Sequence, residues 1–320
     1  MDNKISLRFY ILVILLVILT IISIIFVIRV TPTKRESNIA LGNVLNLEIK
    51  RKGIVIEKIY GVIQFSMSEN MFGIKEDGID NLISRLYSYA DNSKIKGIIL
   101  RINSPGGTIG AVQEVYKAIM YCRSKGKKVV ASFGDLAASG GYYIASACDK
   151  IVSNPGTITG SIGVIVASPS FVGLFKKLGL GYNVIKSGKH KDILSYYRKM
   201  TPEEKRLLQE VVNNSYYQFL KAVSKGRHIK ISKLKKIADG RVFTGEQAKR
   251  LKLVDELGGL HLAIRLIGNL TGLGNNPHII RPSVSPITEF LSMINKKESI
   301  AESLVKLYNR STVPVFYLYK

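Results

Sequence analysis

Strand-like and helix-like segments alternate along the chain, and this alternation constrains the fold more than any other feature. Residues 54–65 are rich in Ile and Val and predict a strand, while residues 76–90 place apolar side chains at helical spacing. Residues 96–102 are a short apolar run, which is typical of a buried parallel strand. A helical stripe over 112–122 and a strand over 129–133 repeat the order. Such units need crossover connections, so the sequence predicts an α/β fold with a mostly parallel sheet.

The second half of the chain is predicted to be more helical. Thr201 is suited to cap a long helix, with Pro202 at its first position and Glu204 completing a capping box. Further helices are predicted near residues 230–238, 245–251 and 258–268.

A run of 20 uncharged residues, Phe9 to Ile28, precedes this body. A helix of that length spans about 30 Å, the thickness of the hydrocarbon core of a bilayer. The run is longer than the apolar region of a signal peptide and no Ala-x-Ala-like cleavage site follows it, which favours an uncleaved anchor. Basic residues flank the run on both sides, so charge alone does not decide its orientation.

The chain is therefore predicted to have five parts. They are a short N-terminal segment at 1–8, a transmembrane anchor at 9–28, a linker at 29–43, a large globular domain at 44–282 and an amphipathic to apolar tail at 283–320. The end of the tail is mostly apolar and aromatic, and an exposed apolar terminus is costly unless it docks. We hypothesise that Val313 to Tyr319 occupies a substrate groove as a pseudo-substrate.

The formal net charge of +24 suggests an anionic partner, either nucleic acid or lipid. Residues 221–236 hold seven Lys or Arg and no acidic residue, but no nucleic-acid motif or interleaved aromatic residues accompany them. We therefore expect no nucleic-acid partner, and a solvated helix face near anionic headgroups instead. Two cysteines exclude a disulfide-rich scaffold and a Cys-based zinc module, and we expect no metal and no cofactor.

Two glycine-containing segments follow predicted strands and offer backbone amides for an oxyanion. In the first, Gly106 is a candidate donor, although such a segment is as often a simple turn. In the second, Ser139 stands at a strand-to-helix turn and is followed by Gly140. Ser139 is a candidate nucleophile and Gly140 a second donor, the alternative being that Ser139 is only a helix cap.

Two candidate bases lie in one basic segment. His190 allows a Ser–His–Asp triad, whereas Lys191 could act as the base if burial and the nearby cations Lys186 and Lys189 disfavour its charged form. The alternative for the whole segment is a solvated basic loop.

At these residues the sequence resembles the signal peptide peptidase A family, membrane-anchored serine peptidases of the Clp-protease/crotonase superfamily. The resemblance covers roughly residues 45–270. It is carried by five collinear motifs: I-N-S-P-G-G at 102–107, A-S-G-G-Y-Y at 138–143, T-G-S-I-G-V at 159–164, S-G-K-H-K-D at 187–192, and D-G-R-V-F-T-G at 239–245 leading into L-V-D-E-L at 253–257.

The resemblance implies a Clp-protease/crotonase-like fold of repeated β-β-α units and a Ser–Lys dyad. Ser139 would be the nucleophile, Lys191 the general base, and Ser161 the residue that orients the lysine. Gly106 and Gly140 would form the oxyanion hole, and the histidine beside the lysine would be a bystander.

The family also implies peptide substrates, chiefly released signal peptides and other apolar or unfolded segments. It implies a homo-oligomeric ring whose neighbouring protomers complete each active site, and a single-pass bacterial membrane protein with an extracytoplasmic catalytic domain. Two alternatives remain: a crotonase-like acyl-CoA-binding enzyme and a non-catalytic basic scaffold associated with membrane lipid.

Overall fold

The computed structural model describes residues 19–20, 51–65, 78–281 and 316–318. The chain separates into a unit of residues 1–49 and a unit of residues 50–320, and the second unit contains the sheet and its helices. The predicted linker at 29–43 and most of the predicted tail lie outside the described residues.

The second unit alternates strands and helices from its first element. The strands are β1 (Gly53–Tyr60), β2 (Ile95–Ser104), β3 (Gly106–Thr108), β4 (Lys128–Ala138), β5 (Lys150–Ser153), β6 (Ile158–Gly160), β7 (Val242–Thr244), β8 (Glu256–Leu257) and β9 (Phe316–Leu318). The helices are α1 (Ile79–Asp91), α2 (Ile109–Ser124), α3 (Gly140–Ala145), α4 (Val172–Lys177), α5 (Pro202–Arg227), α6 (Ile231–Leu234), α7 (Gly245–Arg250) and α8 (Leu260–Leu270).

The main sheet has the strand order β1-β2-β4-β5-β8, and all of these neighbours are parallel. The far end of β4 leaves β5 and pairs instead with β6, which pairs antiparallel with β7. This confirms the predicted α/β fold with a mostly parallel sheet.

One face of the sheet is closed by α8. Ile54, Ile99 and Val130, from the three adjacent strands β1, β2 and β4, pack against Ala263 and Ile267 of this helix in a fully buried cluster. Val152 of β5 belongs to the same cluster, and the alternate residues Ile98 and Val129 are fully buried as well. Both faces of these strands are therefore covered, which explains why they appear in the sequence as almost unbroken apolar runs.

A bulge in β4 positions the functional site. The pairing of β2 with β4 shifts between Ile102 and Ser104, so that residues 134–136 lie opposite Asn103 alone. The Asn103 side-chain oxygen accepts the amides of Asp135 and Leu136 at 3.1 and 3.0 Å, replacing the missing ladder bonds. The bulge redirects the end of β4 towards β6, and Ser139 follows directly.

The predicted strands and helices named here are present, but some of them end at other residues than predicted. The strand predicted over 54–65 ends at Tyr60, because Gly61 adopts a positive φ of 73° and turns the chain. The strand predicted over 129–133 continues to Ala138, since the Asn103 amide supports its second half. The capping box of Thr201 and Glu204 is present at the start of α5, as predicted.

The helix predicted near 230–238 is shorter than expected, since only Ile231–Leu234 is helical. Of the predicted anchor at 9–28, only residues 19–20 are described, and none of the helices in the described part of the chain is long and apolar enough to cross a membrane.

Candidate active site

Ser139 occupies a strained position at the junction of β4 and α3. Its backbone angles are φ 52° and ψ −116°, a region that a non-glycine residue adopts only when its surroundings impose it. Two backbone hydrogen bonds impose it here: the Ser139 amide donates to the Gly160 carbonyl at 2.9 Å, and the Tyr143 amide donates to the Ser139 carbonyl at 2.8 Å.

The Ser139 side chain is buried but unsatisfied. The residue is 1% exposed, and its Oγ has no hydrogen-bond partner among the described residues. A buried hydroxyl without a partner costs free energy, so it needs an explanation other than packing. A helix cap is not that explanation, because the side chain makes no capping hydrogen bond to α3. A buried hydroxyl without a hydrogen-bond partner is suited to act as a nucleophile, because its oxygen can still bind a base and a substrate.

Gly140 packs directly against the other glycine loop. A Cβ at this position would lie 2.6 Å from Val112 Cγ2, 3.0 Å from the Gly107 nitrogen and 3.1 Å from the Gly106 Cα. Only glycine permits this contact. The start of α3 therefore lies beside the backbone of β3, so the two glycine segments are close together.

Of the two glycines in β3, the second is better placed to be the donor. The Gly106 amide already donates to Ser104 Oγ at 3.1 Å. The Gly106 carbonyl and the Thr108 amide are bonded to Ile63, at 2.8 and 2.9 Å. Because successive residues of a strand alternate sides, the amide and carbonyl of Gly107 face the opposite edge. Sequence reasoning selected Gly106, since a tandem of glycines does not reveal which amide is engaged.

That opposite edge of β3 carries a short strand from the C-terminal tail. Phe316–Leu318 (β9) pairs antiparallel with Gly106–Thr108, and Tyr317 lies opposite Gly107. This edge of β3 thus pairs with an extended segment of the same chain.

Ser161 lies next to Ser139. Ala138 of β4 is paired with Gly160 of β6, so each serine immediately follows its partnered strand. Ser161 is also buried and has a positive φ of 49°, and its amide donates to the Arg241 carbonyl at 2.8 Å. The structure therefore brings these two predicted site residues together.

Lys191 makes no hydrogen bond to Ser139 within one chain. It is exposed on a run of turns, and the lack of any partner for Ser139 Oγ among the described residues excludes a hydrogen bond from Lys191 Nζ. The same observation excludes a bond to His190, whose Nε2 lies 3.4 Å from a Glu203 oxygen. A Ser139–His190–Asp triad is therefore not formed in the single chain.

The expected crowding of cations around Lys191 is also corrected. Lys186 forms an ion pair with Asp192 and Lys189 one with Glu203, so carboxylates offset both charges. The sequence shows the basic residues, but only the fold brings the carboxylate of Glu203 to Lys189.

The segment around Lys191 exposes an unusual amount of apolar surface. Helix α4 buries none of its residues. Large exposed hydrophobic side chains occur throughout residues 165–200: Ile165, Phe171, Leu174, Leu178, Leu180, Tyr182, Val184, Ile185, Tyr196 and Met200. A continuous stretch of this kind is typical of an interaction surface. Among the described residues, no group of His, Cys, Asp and Glu is arranged to hold a metal ion.

Comparison with known proteins places this arrangement in a family. The family model for peptidase family S49 matches residues 122–273, which contain Ser139, Ser161 and Lys191. The model for Clp protease matches residues 62–156, which contain both glycine loops. A Synechocystis sp. protein that bears the name of a protease is 44% identical over 63% of this chain and 72% of its own length. The chain belongs to peptidase family S49.

Other relatives agree with membership of this family. An Enterococcus faecium protein bearing the name signal peptide peptidase SppA is 36% identical over 69% of this chain and 64% of its own length. Serine protease SPPA, chloroplastic, of Arabidopsis thaliana is 34% identical over 64% of this chain and 31% of its own length. The chain is thus an S49 serine peptidase. It matches only about a third of the length of the Arabidopsis relative.

Proposed function

We propose that this S49 peptidase is a membrane-anchored endopeptidase that cleaves released signal peptides and other apolar or unfolded segments with a Ser–Lys dyad. One observation carries the catalytic part of the proposal. Ser139 is held in a strained conformation, with its buried hydroxyl unpaired among the described residues and with glycine amides beside it.

The proposed reaction passes through an acyl-enzyme. Ser139 Oγ attacks the carbonyl carbon of the scissile peptide bond while its proton passes to the neutral amine of Lys191. The carbonyl oxygen becomes an oxyanion, which accepts hydrogen bonds from the amides of Gly140 and Gly107. The protonated lysine then gives its proton to the leaving amine, and a water molecule, deprotonated by the same lysine, hydrolyses the ester. Ser161 is assigned to orient the lysine.

Gly107 replaces Gly106 in this proposal. The Gly106 amide is engaged by Ser104, whereas the peptide-facing edge of β3 is formed by Gly107. An amide that already donates within its own loop has little capacity left for an oxyanion.

The base is proposed to come from a neighbouring protomer of a ring. Two observations support this. Lys191 is exposed and does not pair with Ser139 in its own chain, and the segment that carries it exposes a broad apolar surface. A head-to-tail interface between identical chains, repeated until it closes, would bury this surface and bring the lysine of one protomer to the serine of the next.

The substrate is proposed to bind as an extended strand on β3. The antiparallel pairing of Phe316–Leu318 with this strand supports that binding mode, because it uses the same backbone groups that a peptide would use. It also supports our hypothesis that the tail acts as a pseudo-substrate. The apolar character of residues 313–319 matches the proposed apolar substrates.

The location is proposed from the sequence. The uncharged run at 9–28 would anchor the chain in the bacterial cell membrane, with the catalytic domain on the extracytoplasmic side. The exposed lysines within residues 221–236 are suited to face anionic headgroups.

The nucleophile is tested with a serine-reactive fluorophosphonate and a peptidase assay on an apolar peptide. Wild-type protein should be labelled on Ser139, and Ser139→Ala should lose labelling and at least about 10³-fold in peptide cleavage. Ser232→Ala, at an exposed position far along the chain, is the matched control and should keep both. Cleavage by Ser139→Ala at the wild-type rate would refute the assignment.

A further inference from the structure

We propose that Arg198 is a positioning residue for the catalytic base: it clamps the turn that carries Lys191 to the N-terminus of helix α5. This inference rests on the proposed Ser–Lys dyad and goes beyond it, because it names the group that holds the lysine in place.

The clamp is needed because Lys191 stands on irregular backbone. The segment from Lys186 to Met200 contains no helix or strand. Its later part is bonded to residues 168–171, at Leu194 and Tyr196, whereas the turn of Lys191 itself is closed by a short-range bond from the Lys191 amide to the Gly188 carbonyl. Turns of this kind have few buried contacts and move easily unless side chains hold them. A base that must meet a serine within hydrogen-bonding distance needs a firmer support.

Asp192, the residue after Lys191, is the first carboxylate that Arg198 binds. Arg198 donates from Nε to Asp192 Oδ2 and from Nη2 to Asp192 Oδ1, both at 2.8 Å, a two-pronged pairing. Lys186 and the Tyr197 hydroxyl donate to the same carboxylate. The Asp192 side chain is only 9% exposed, and the hydrogen bonds from Arg198 and Lys186 hold its pKa well below the usual range.

Arg198 binds a second carboxylate with its remaining donors. Its Nη1 donates to Glu204 Oε2 at 2.9 Å, and its Nη2 donates to Glu204 Oε1. The Glu204 side chain is 3% exposed, and its hydrogen bond from Arg198 lowers its pKa to about 2. Glu204 also accepts the Thr201 amide in the capping box, so it is fixed to the first turn of α5.

Helix α5 in turn is fixed to the nucleophile side of the domain. Phe219 is fully buried with its ring 4.9 Å from that of Tyr143 in α3, and Gly226 lies so close to Ser146 that a Cβ would be 1.8 Å from the Ser146 carbonyl oxygen. Arg198 therefore connects the turn of Lys191 to a helix that packs on the element beginning at Ser139.

Only arginine has the donor geometry for this role. Its planar guanidinium presents five N–H groups in a fixed fork, which here serve two carboxylates at once. Lysine at this position would keep the positive charge but could not bind both carboxylates in two-pronged fashion. Arg198→Lys therefore removes the geometry while retaining the charge.

Arg206, near the start of α5, offers a matched control. Its only ion pair in the described structure is with Glu210, at 3.9 Å, and both side chains are largely exposed. Exposed pairs of this type contribute little, so Arg206→Lys should leave activity and stability unchanged.

The experiment measures kcat, KM, fluorophosphonate labelling of Ser139 and the melting temperature for wild type, Arg198→Lys, Glu204→Gln and Arg206→Lys. We expect Arg198→Lys to lower kcat by about 10- to 100-fold with little change in KM or in melting temperature, since a base displaced by about 1 Å is costly while folding and binding are not affected. Glu204→Gln keeps the capping acceptor but weakens the clamp, so it should show an intermediate loss of kcat.

The outcomes separate this inference from the proposed function. If wild type labels on Ser139 and Arg198→Lys matches Arg206→Lys within twofold in kcat, the positioning role is wrong while the peptidase assignment stands. If kcat falls only together with a lower melting temperature in both Arg198→Lys and Glu204→Gln, Arg198 is a structural residue and the inference is overturned. If wild-type protein is neither labelled on Ser139 nor active, the proposed function fails and this inference fails with it.

Discussion

The two halves of the candidate site are fixed by different kinds of interaction. Ser139 is buried, and two backbone hydrogen bonds, one to strand β6 and one from helix α3, hold its conformation. Lys191 is exposed on turns that are held by side-chain ion pairs. Backbone hydrogen bonds between strands do not involve side chains, so most side-chain substitutions leave them in place. The geometry of an ion-pair cluster, in contrast, depends on each of its side chains. The nucleophile side is therefore complete in one chain, and the base side is adjustable and suited to an interface.

The strongest test of this comparison separates the two halves into different protomers. Lys191→Ala should lower activity by about 10²- to 10⁴-fold, the usual contribution of a general base, and Ser139→Ala should abolish it. If the base acts on the neighbouring protomer, mixing the two inactive variants before assembly should restore about a quarter of the wild-type activity, as random placement around a ring requires.

The control for this mixture is His190→Ala, which should retain near wild-type activity because His190 lies beside Glu203 and makes no hydrogen bond to Ser139 Oγ. A mixture that stays inactive would contradict a base supplied in trans. A severe loss in His190→Ala with a mild one in Lys191→Ala would replace the dyad by a triad.

The backbone-fixed half should be intolerant of a single added methyl group. In Gly140→Ala the new Cβ would meet Val112 Cγ2 at 2.6 Å and displace the first turn of α3 from the backbone of β3. We expect kcat/KM to fall by about 10²-fold, comparable to the loss of one oxyanion donor. Gly156→Ala, where nothing lies within 4 Å, is the control.

A second substitution shows whether the clash itself is the cause. Val112→Ala removes the methyl group nearest to the new Cβ, so the double variant Gly140→Ala/Val112→Ala should recover part of the lost activity. An activity no higher than that of Gly140→Ala alone would mean that the contact with β3, at 3.0 Å from the Gly107 nitrogen, dominates. Unchanged activity in Gly140→Ala would contradict the oxyanion assignment.

The smallest expected effect concerns the tail that shares the edge of β3 with substrates. Ending the chain at Thr312 removes β9, so cleavage of small peptides should rise by about two- to tenfold, the factor gained when a groove that is partly occupied becomes free. Tyr317→Pro in the full chain removes the amide that faces Gly107 and should give a similar rise. Equal rates for wild type and both variants would exclude the tail as a pseudo-substrate.

Much of the fold was predictable because its signals are local. The capping box of Thr201 and Glu204 closes within three residues, and the apolar runs at 96–102 and 129–133 report burial on both sides of a sheet. The second half of β4 was missed because it depends on the Asn103 side chain, which lies more than 30 residues away in the sequence.

The sequence by itself determined the α/β order and marked Ser139, His190 and Lys191 as candidate chemical groups, and its resemblance to a family added Ser161, since residue type and motifs are properties of the chain. Only the tertiary structure shows that the Gly106 amide donates to Ser104 while Gly107 lies opposite β9, because these are contacts with other parts of the chain. It also decided that Lys191 makes no hydrogen bond to Ser139 within one chain and that Arg198 joins Asp192 to Glu204. These are contacts between segments, and their geometry is created only when the sheet, α5 and the turns assemble.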